Sequence, residues 1–275
     1  DGIGDNLDSL ITYSNNGTSV VITRCNSSVT GEVVIPDTIE GLPVTSIGES
    51  AFYSCRYMTS ITIPDSVTSI GDNAFDWCWS SQGGLTSVNF GEDSQLTSIG
   101  EYAFWVCLNL TNITIPDSVT SIGEQAFADC RNLTSITIPD SVTSIGKETF
   151  RDCHDLIRVT IGESVTSIGN KAFNDCLRLR RINFLPMTAP SLGSNVFQNI
   201  LSSATYYAPT GATGYTDPFG EVSNVDSDND GYGDNVDAFP KDANEWSLDS
   251  FITYTNDGTS VVITDCNTSV SGELV

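Results

Sequence analysis

The sequence LTSITIPDSVTSIGKETFRDCHD, residues 133–155, decides the fold. It follows LTNITIPDSVTSIGEQAFADCRN (110–132) and precedes LIRVTIGESVTSIGNKAFNDCLR (156–178), so the chain repeats every 23 residues here. The other copies, of which the first and last are degenerate, lie at 31–55, 58–80, 85–109 and 179–200. A period of this length predicts a solenoid, in which each repeat forms one coil and shields the next.

Each repeat reads as a strand, a turn, a short second strand and a compact turn. Ile136 and Ile138 alternate with polar residues, which is the period-two pattern of a strand with one buried face. Gly146 is expected to permit a turn. Phe150 and Cys153, three apart, are expected to share one face of a helical turn. Stacking would place equivalent strands in parallel sheets with a rise of about 4.8 Å per coil.

The IPDSVTSIG and AFxxC blocks of these repeats resemble the BspA-like leucine-rich repeats of microbial surface proteins. The resemblance covers roughly residues 30–220. It implies a leucine-rich-repeat solenoid, a mostly β member of the α/β repeat class, with stacked parallel strands and N- and C-terminal caps. It also implies an extracellular or cell-surface location and a binding or adhesion role.

The repeats and their flanks predict six segments. They are a partial calcium loop (1–8), an N-terminal cap hairpin (9–30), a solenoid of about seven coils (31–200), a C-terminal cap (201–223), a calcium-binding linker (224–246) and the start of a second cap module (247–275).

The cysteines form a column of the repeat. Cys25 and Cys266 are the matching residues of the two terminal copies, and the column itself comprises Cys55, Cys78, Cys107, Cys130, Cys153 and Cys176. Neighbours in a parallel ladder would have parallel Cβ vectors, which do not suit a disulfide. We therefore predict free, buried thiols that pack as small apolar groups. No C-x-x-C pair supports a zinc site.

The segment DSDNDGYGDNVD, residues 226–237, carries the spacing of a twelve-residue calcium loop. The predicted Ca²⁺ ligands at positions 1, 3, 5, 7, 9 and 12 are Asp226, Asp228, Asp230, the backbone carbonyl of Tyr232, Asp234 and Asp237. Gly231 stands at position 6, where the loop turns sharply. Carboxylates this close repel one another, and a hard cation offsets that repulsion.

This loop resembles the calcium repeats of thrombospondin type 3. The resemblance makes Asp242 and Glu245, in the DAFPKDANEW sequel, weaker candidate ligands. The chain also opens with DGIGDNLD, which matches DGYGDNVD in the loop. Asp1, Asp5 and Asp8 would then be three ligands of a second, partial loop.

Polar residues occupy the outward positions of the main strands, which we expect to form a concave face. They are Ser60, Thr62, Ser87, Asn89, Asn112, Thr114, Ser135, Thr137, Arg158, Thr160, Arg181 and Asn183. Such a face either binds a partner or is simply a solvated sheet surface. The late repeats hold most of the basic residues.

Composition narrows the functional classes. Eleven basic residues against 35 acidic ones give a net charge of −24, which disfavours nucleic acid and anionic lipid as partners. No apolar run approaches the roughly 20 residues of a membrane span. The one histidine, His154, has no nucleophile motif beside it and is interpreted as a surface residue. We predict that the chain is not an enzyme.

Two functional hypotheses remain, and both must account for a second copy of the chain's first segment near its end. Residues 250–274 repeat residues 9–33 at most positions. The chain is therefore either part of a longer array of modules or a subunit whose tail mimics its own head. We predict a calcium-stiffened surface array or fibre, with copies of itself or tandem modules of the same chain as partners. The alternative is an adhesin with a ligand on the concave face.

Overall fold

The computed structural model describes residues 10–215, and beyond them only the backbone of three further strands. In residues 10–215 the strands are β1 (Ile11–Asn15), β2 (Val20–Cys25), β3 (Thr30–Val34), β4 (Thr38–Ile39), β5 (Leu42–Ile47), β6 (Tyr57–Ile63), β7 (Ser69–Ile70), β8 (Trp79–Ser80), β9 (Gly83–Gly84), β10 (Ser87–Phe90), β11 (Ser98–Ile99), β12 (Asn112–Ile113), β13 (Ser121–Ile122), β14 (Ser135–Ile138), β15 (Ser144–Ile145), β16 (Arg158–Ile161), β17 (Ser167–Ile168), β18 (Arg181–Phe184), β19 (Ser191–Leu192) and β20 (Thr205–Pro209). The three further strands are β21 (Asn224–Asp226), β22 (Ile252–Asn256) and β23 (Val261–Cys266).

The longer strand of each coil builds one side of a solenoid. Strands β3, β6, β10 and β12 form one parallel sheet, and β14, β16, β18, β20 and β21 form another. The register advances by one repeat per strand, so that Ile61 pairs with Val88 and Ile136 with Val159. This confirms the predicted solenoid of stacked parallel strands. We call the outward surface of these two sheets the long-strand face.

The short Ser–Ile strands build a second ladder. β5, β7, β11 and β13 pair in parallel, and β15, β17 and β19 continue the same repeat position. An antiparallel hairpin of β1 and β2 begins this ladder, because β2 pairs in parallel with β5. The hairpin contains a bulge between Thr12 and Tyr13.

A column of phenylalanine rings fills the core between the two ladders. Neighbouring ring centroids are 5.0–5.5 Å apart and the planes are within 13° of parallel. The column comprises Phe52, Phe75, Phe104, Phe127, Phe150, Phe173 and Phe197. Since one ring alone could not shield both of its faces, the column forms only when coils stack.

The segment around each phenylalanine is a series of turns, so the predicted helical turn is wrong. Each of these segments has two residues in the left-handed region, with φ between 55° and 61°. The first set is Ser50, Asn73, Tyr102, Gln125, Glu148, Lys171 and Asn195, and the second is Ser54, Trp77, Val106, Asp129, Asp152, Asp175 and Asn199. A positive φ reverses the chain and prevents a helix.

Most glycines that follow a Ser–Ile pair have a different role from the predicted one, and Gly146 is the exception. Gly123 and Gly146 do not have a left-handed φ. A Cβ at Gly123 would lie 2.5 Å from the backbone nitrogen of Glu101 in the preceding coil. Glycine is required there by close backbone approach and not by the conformation of a turn.

Both ladders are interrupted between the fourth and fifth coils. β12 and β14 belong to separate sheets, and so do β13 and β15. Elsewhere the corresponding glycine donates its backbone N–H to the preceding isoleucine carbonyl, as Gly123 does to Ile99 at 2.9 Å. In the described residues no such bond joins Gly146 to Ile122. The turn side stays connected, because Phe127 donates to the Thr149 carbonyl at 2.9 Å. We call this place the coil joint.

The strands beyond residue 215 repeat or extend elements of the solenoid. β21 adds to the long-strand sheet by pairing in parallel with β20. β22 and β23 form an antiparallel hairpin in which Ile252 pairs with Cys266, as Ile11 pairs with Cys25 in the first hairpin. The second hairpin has its bulge between Thr253 and Tyr254, at the same position.

Candidate functional site

The long-strand face presents the predicted outward residues in straight rows. Ser135, Arg158, Arg181 and Thr205 are in register across four strands. All the predicted outward residues are exposed or half-buried except Asn183, which is 1% exposed. Asn183 lies in register between Thr160 and Tyr207, so the face is least accessible at that point.

Arginines concentrate charge at the C-terminal end of this face. Arg158 and Arg181 are direct cross-strand partners, which places their Cα atoms about 5 Å apart. The guanidinium carbon of Arg181 lies 5.6 Å from the ring centroid of Tyr207, a cation–π contact. Two arginines on neighbouring strands concentrate positive charge at this end of the face.

An aromatic cluster on the turn side was missed by sequence reasoning. Trp77 and Trp105 meet edge to face with centroids 6.4 Å apart, and Tyr102 packs against Trp105 at 5.7 Å. The guanidinium of Arg56 lies 5.8 Å from the centre of the Trp77 ring. Trp77 and Tyr102 are both in the left-handed region. That conformation costs a bulky residue on the order of 1–2 kcal/mol, so the cluster is built against local preference.

A four-residue insertion and a buried acid flank Trp77 of this cluster in the sequence. The inserted residues form a small hairpin of β8 and β9, where other coils have only two residues between cysteine and leucine. Asp76, which precedes Trp77, is 4% exposed, and burial raises the pKa of its carboxyl to about 7. The signal in the sequence was the replacement of polar residues by Tyr102 in one repeat column and by Trp77 and Val106 in another.

A charged strip continues along the turn side of the later coils. Arg151 forms ion pairs with Glu148 at 2.8 Å and Asp152 at 2.9 Å. His154 lies 3.6 Å from Asp152 and is about one-third exposed. His154 therefore lies at the surface, in line with its interpretation from sequence.

Seven cysteines are free and buried in the structure, in agreement with the ladder prediction: Cys25, Cys55, Cys78, Cys107, Cys130, Cys153 and Cys176. Cys266 ends β23, where only the backbone is described. Burial raises the pKa of the interior thiols, for example Cys107 and Cys153. Interior thiols of this kind are unreactive.

The predicted calcium ligands lie outside the described residues except for the backbone of Asp226. Asp226 ends β21 and pairs with Pro209 of β20. The acidic segment therefore starts directly from the long-strand sheet. Among residues 10–215, no three His, Cys, Asp or Glu side chains are grouped to hold a metal ion. The described part of the chain also contains no helix with the length and hydropathy of a membrane span.

These features define the class: a mostly β leucine-rich-repeat solenoid whose coils stack through parallel strands and a phenylalanine column. The BspA type leucine-rich repeat region matches residues 25–83 and 78–204 in six copies. The chain belongs to this family, which is one of bacterial surface proteins. The resemblance seen in the sequence is therefore confirmed.

Solved structures of bacterial leucine-rich-repeat proteins share the fold. A T. pallidum leucine-rich-repeat protein is 30% identical, with a TM-score of 0.64, over 71% of this chain and 90% of that one. A leucine-rich cell surface protein from Faecalibacterium prausnitzii is 31% identical, with a TM-score of 0.60, over 73% of this chain and 53% of that one. This chain thus spans about half of the second protein. No curated protein matches the chain.

Proposed function

We propose that this chain is an extracellular structural protein whose solenoid modules, joined by calcium-binding linkers, form a surface array or a head-to-tail fibre. The observation that supports this most directly is the repeated hairpin. β22 and β23 pair in the same register as β1 and β2, and each hairpin has its bulge at the same place. Two copies of a module's first element in one polypeptide are expected of a protein made of repeated modules. The proposal assigns the chain no catalytic activity.

The linker between these two hairpins is the proposed calcium-binding segment. Carboxylate and carbonyl oxygens are the ligands that Ca²⁺ prefers, and the segment from Asp226 to Asp237 has them at suitable spacing. The ligands would be Asp226, Asp228, Asp230, Tyr232, Asp234 and Asp237, with Asp242 and Glu245 as additional candidates. Because Asp226 pairs with Pro209, a rigid linker would be continuous with the solenoid.

Self-association would use the same elements. The partial loop of Asp1, Asp5 and Asp8 could be completed by the acidic segment of a preceding module, with one Ca²⁺ shared between them. A repeated contact of this kind is heterologous and extends into a filament unless rotation closes it. Tandem modules in one chain would make the same contact covalently.

Limited proteolysis with and without chelator tests the linker. Calcium should protect residues 224–246, while residues 58–178 resist cutting in either condition. The paired substitution Asp228→Asn and Asp230→Asn should remove the protection, whereas Asp117→Asn, on an exposed solenoid turn, should not. Identical cutting of the wild-type linker in both conditions would show that it is not a calcium site.

A second candidate function is adhesion through the long-strand face. The cross-strand pairing of Arg158 with Arg181 supports it, because two arginines on neighbouring strands place positive charge on a face that would suit a carboxylate or sulfate of a protein or glycan ligand. Retention on immobilised dextran sulfate measures this directly. Arg158→Gln with Arg181→Gln should elute at lower salt than the matched pair Lys171→Gln and Arg178→Gln, which lies off this face.

Electron microscopy separates the two candidates. Calcium-dependent filaments would favour the array, and dispersed monomers that bind the polyanion would favour the adhesin. If the Arg158→Gln, Arg181→Gln variant and the Lys171→Gln, Arg178→Gln control are retained equally on dextran sulfate, the adhesin site is contradicted.

A further inference from the structure

The aromatic cluster and the small hairpin beside it hold three of the four tryptophans of the chain. Trp77, Trp79 and Trp105 are each half-buried, so part of each indole ring is accessible. Tyr102 is half-buried against Trp105, and Tyr53 of the preceding turn is 52% exposed. Aromatic surface concentrated in this way marks a binding site, whereas aromatic residues scattered singly do not.

A buried carboxyl lies in a column between two of these aromatic residues. The backbone N–H of Ser54 donates to the Asp76 carbonyl at 2.8 Å, and that of Trp77 donates to the Trp105 carbonyl at 2.9 Å. Tyr53, Asp76 and Trp105 therefore occupy the same position of three consecutive turns. Asp76 is 4% exposed, so its side chain is enclosed in the column that Tyr53 and Trp105 flank.

Three buried polar atoms of this region have no hydrogen-bond partner. They are Oδ1 of Asp76 and the indole nitrogens of Trp79 and Trp105. A buried polar atom without a partner is destabilising, so its retention in a native fold needs an explanation such as a bound molecule. The set combines one acceptor with two donors. Hydroxyl groups both donate and accept, so a hydroxyl-bearing ligand can satisfy all three atoms.

The cluster also places bulky residues where the fold favours small polar ones. Trp77 and Tyr102 have φ of 60° and 57°, in the left-handed region. Later coils have aspartate at the position of Trp77, namely Asp129, Asp152 and Asp175. Aspartate tolerates this conformation better than tryptophan does. Strain of this kind is retained at ligand sites, which indicates that the indole of Trp77 serves a role other than folding.

We propose that the aromatic cluster, together with Asp76 and Trp79, is a binding site for a neutral saccharide. The apolar C–H face of a sugar ring packs against an aromatic ring, and its hydroxyl groups supply the partners that Asp76, Trp79 and Trp105 lack. Residues 57–130 contain nine Asp or Glu and no Lys or Arg, so this part of the solenoid repels an acidic saccharide. Arg56 adjoins this range, and its charge lies over the Trp77 ring.

The small hairpin of β8 and β9 gives access to the buried atoms. It carries Trp79 and consists of only two residue pairs, Trp79 with Gly84 and Ser80 with Gly83. A hairpin this short is marginally stable by itself, so a ligand can displace it and uncover the indole nitrogen of Trp79. The inference depends neither on calcium nor on a ligand at the long-strand face.

A printed array of neutral glycans, followed by titration of the full chain in solution, tests the site. The soluble probes are cellohexaose, xylohexaose, mannohexaose and chitohexaose, and binding is read by tryptophan fluorescence and by calorimetry. Because three of the four tryptophans are in the site, a bound sugar should change the emission of the chain. We expect saturable binding of at least one neutral glycan, unchanged by chelator, so this result is independent of the calcium linker. No binding on the array and no fluorescence change with any probe would overturn the proposal.

Two variants that restore the residues of other coils separate binding from folding. Trp77→Asp and Tyr102→Gln introduce side chains that later coils have at the same positions, so both should still unfold cooperatively. Each should weaken sugar binding by about tenfold or more, because an aromatic ring of the site is lost. Lys171→Gln is the matched control, three coils after Tyr102 at the same repeat position, and should bind as the wild type does. Wild-type affinity in both aromatic variants, or an equal loss in the lysine control, would contradict the proposed site.

Discussion

Replacing Gly123 by alanine should destabilise the solenoid, although the same change at Gly146 should not. The two glycines occupy the same position in consecutive repeats. A Cβ at Gly123 would lie 2.5 Å from the backbone nitrogen of Glu101 and 2.6 Å from the carbonyl carbon of Gly100. At Gly146 the nearest atom would be the Thr149 hydroxyl oxygen at 3.3 Å, with backbone at 3.4 Å.

The magnitude follows from how far the coils must separate. Moving the nearest contact at Gly123 from 2.5 Å to the 3.4 Å of ordinary contact requires a shift of about 0.9 Å, and the obstructing atoms are backbone. Overpacking of this kind costs about 1–3 kcal/mol. The lower entropy of the unfolded alanine chain recovers only about 0.4–1 kcal/mol. We expect Gly123→Ala to lose about 1–2 kcal/mol and Gly146→Ala to change stability by less than about 1 kcal/mol.

Thermal unfolding followed by circular dichroism measures the difference. For a domain of this size, a loss of about 1–2 kcal/mol corresponds to a fall in Tm of about 2–8 °C. Urea unfolding gives the same comparison as a shift in midpoint. Equal losses in the two variants would refute the reasoning, because they would show that space between coils does not determine where glycine is required.

Two further predictions concern the core and the turn side. Phe127→Ala removes a fully buried ring stacked on Phe104 at 5.1 Å and Phe150 at 5.3 Å, so it should cost about 4–5 kcal/mol in urea unfolding, whereas Phe127→Leu should cost less than half as much. Asp76→Asn should flatten the pH dependence of stability: burial raises the folded pKa from 3.8 to about 7, so the folded protein binds the proton more tightly and the contribution of Asp76 to stability falls as pH rises from about 4 to about 7. Thermal melts between pH 4 and pH 8 check this, and a wild-type curve parallel to that of Asp76→Asn would contradict it.

The strands were predictable because their pattern is local. Ile136 and Ile138 alternate with polar neighbours, and the repeat length sets how they stack. The turns were not predictable in the same way, because the left-handed residues are not glycines. Asp129 and Asp152 tolerate that conformation, and only the closed geometry of a coil shows that Val106 must adopt it as well.

The candidate sites also differ in whether the repeat pattern of the sequence predicts them. The rows of the long-strand face followed from strand alternation, and the pairing of Arg158 with Arg181 follows from the repeat length. The aromatic cluster lies where a coil is irregular, next to the insertion that forms the hairpin of β8 and β9. A repeat pattern describes what the coils have in common, so it does not predict the structure where one coil differs from the others.

The coil joint gives the solenoid a preferred direction of bending under load. Across it the pairing of both strand ladders is interrupted, and the strand side keeps the backbone bond from Thr134 to the Thr111 carbonyl at 3.4 Å. On the turn side the backbone N–H of Asp129 donates to the Arg151 carbonyl at 2.7 Å, and that of Gln125 to the Lys147 carbonyl at 3.0 Å. A pulling force would therefore separate the two coils first on the strand side, while the turn side stays hydrogen-bonded and acts as the hinge. Tension between the two ends would bend the solenoid at the coil joint before it separated the stacked phenylalanine rings. A rod built in this way is compliant at one point and stiff on either side of it.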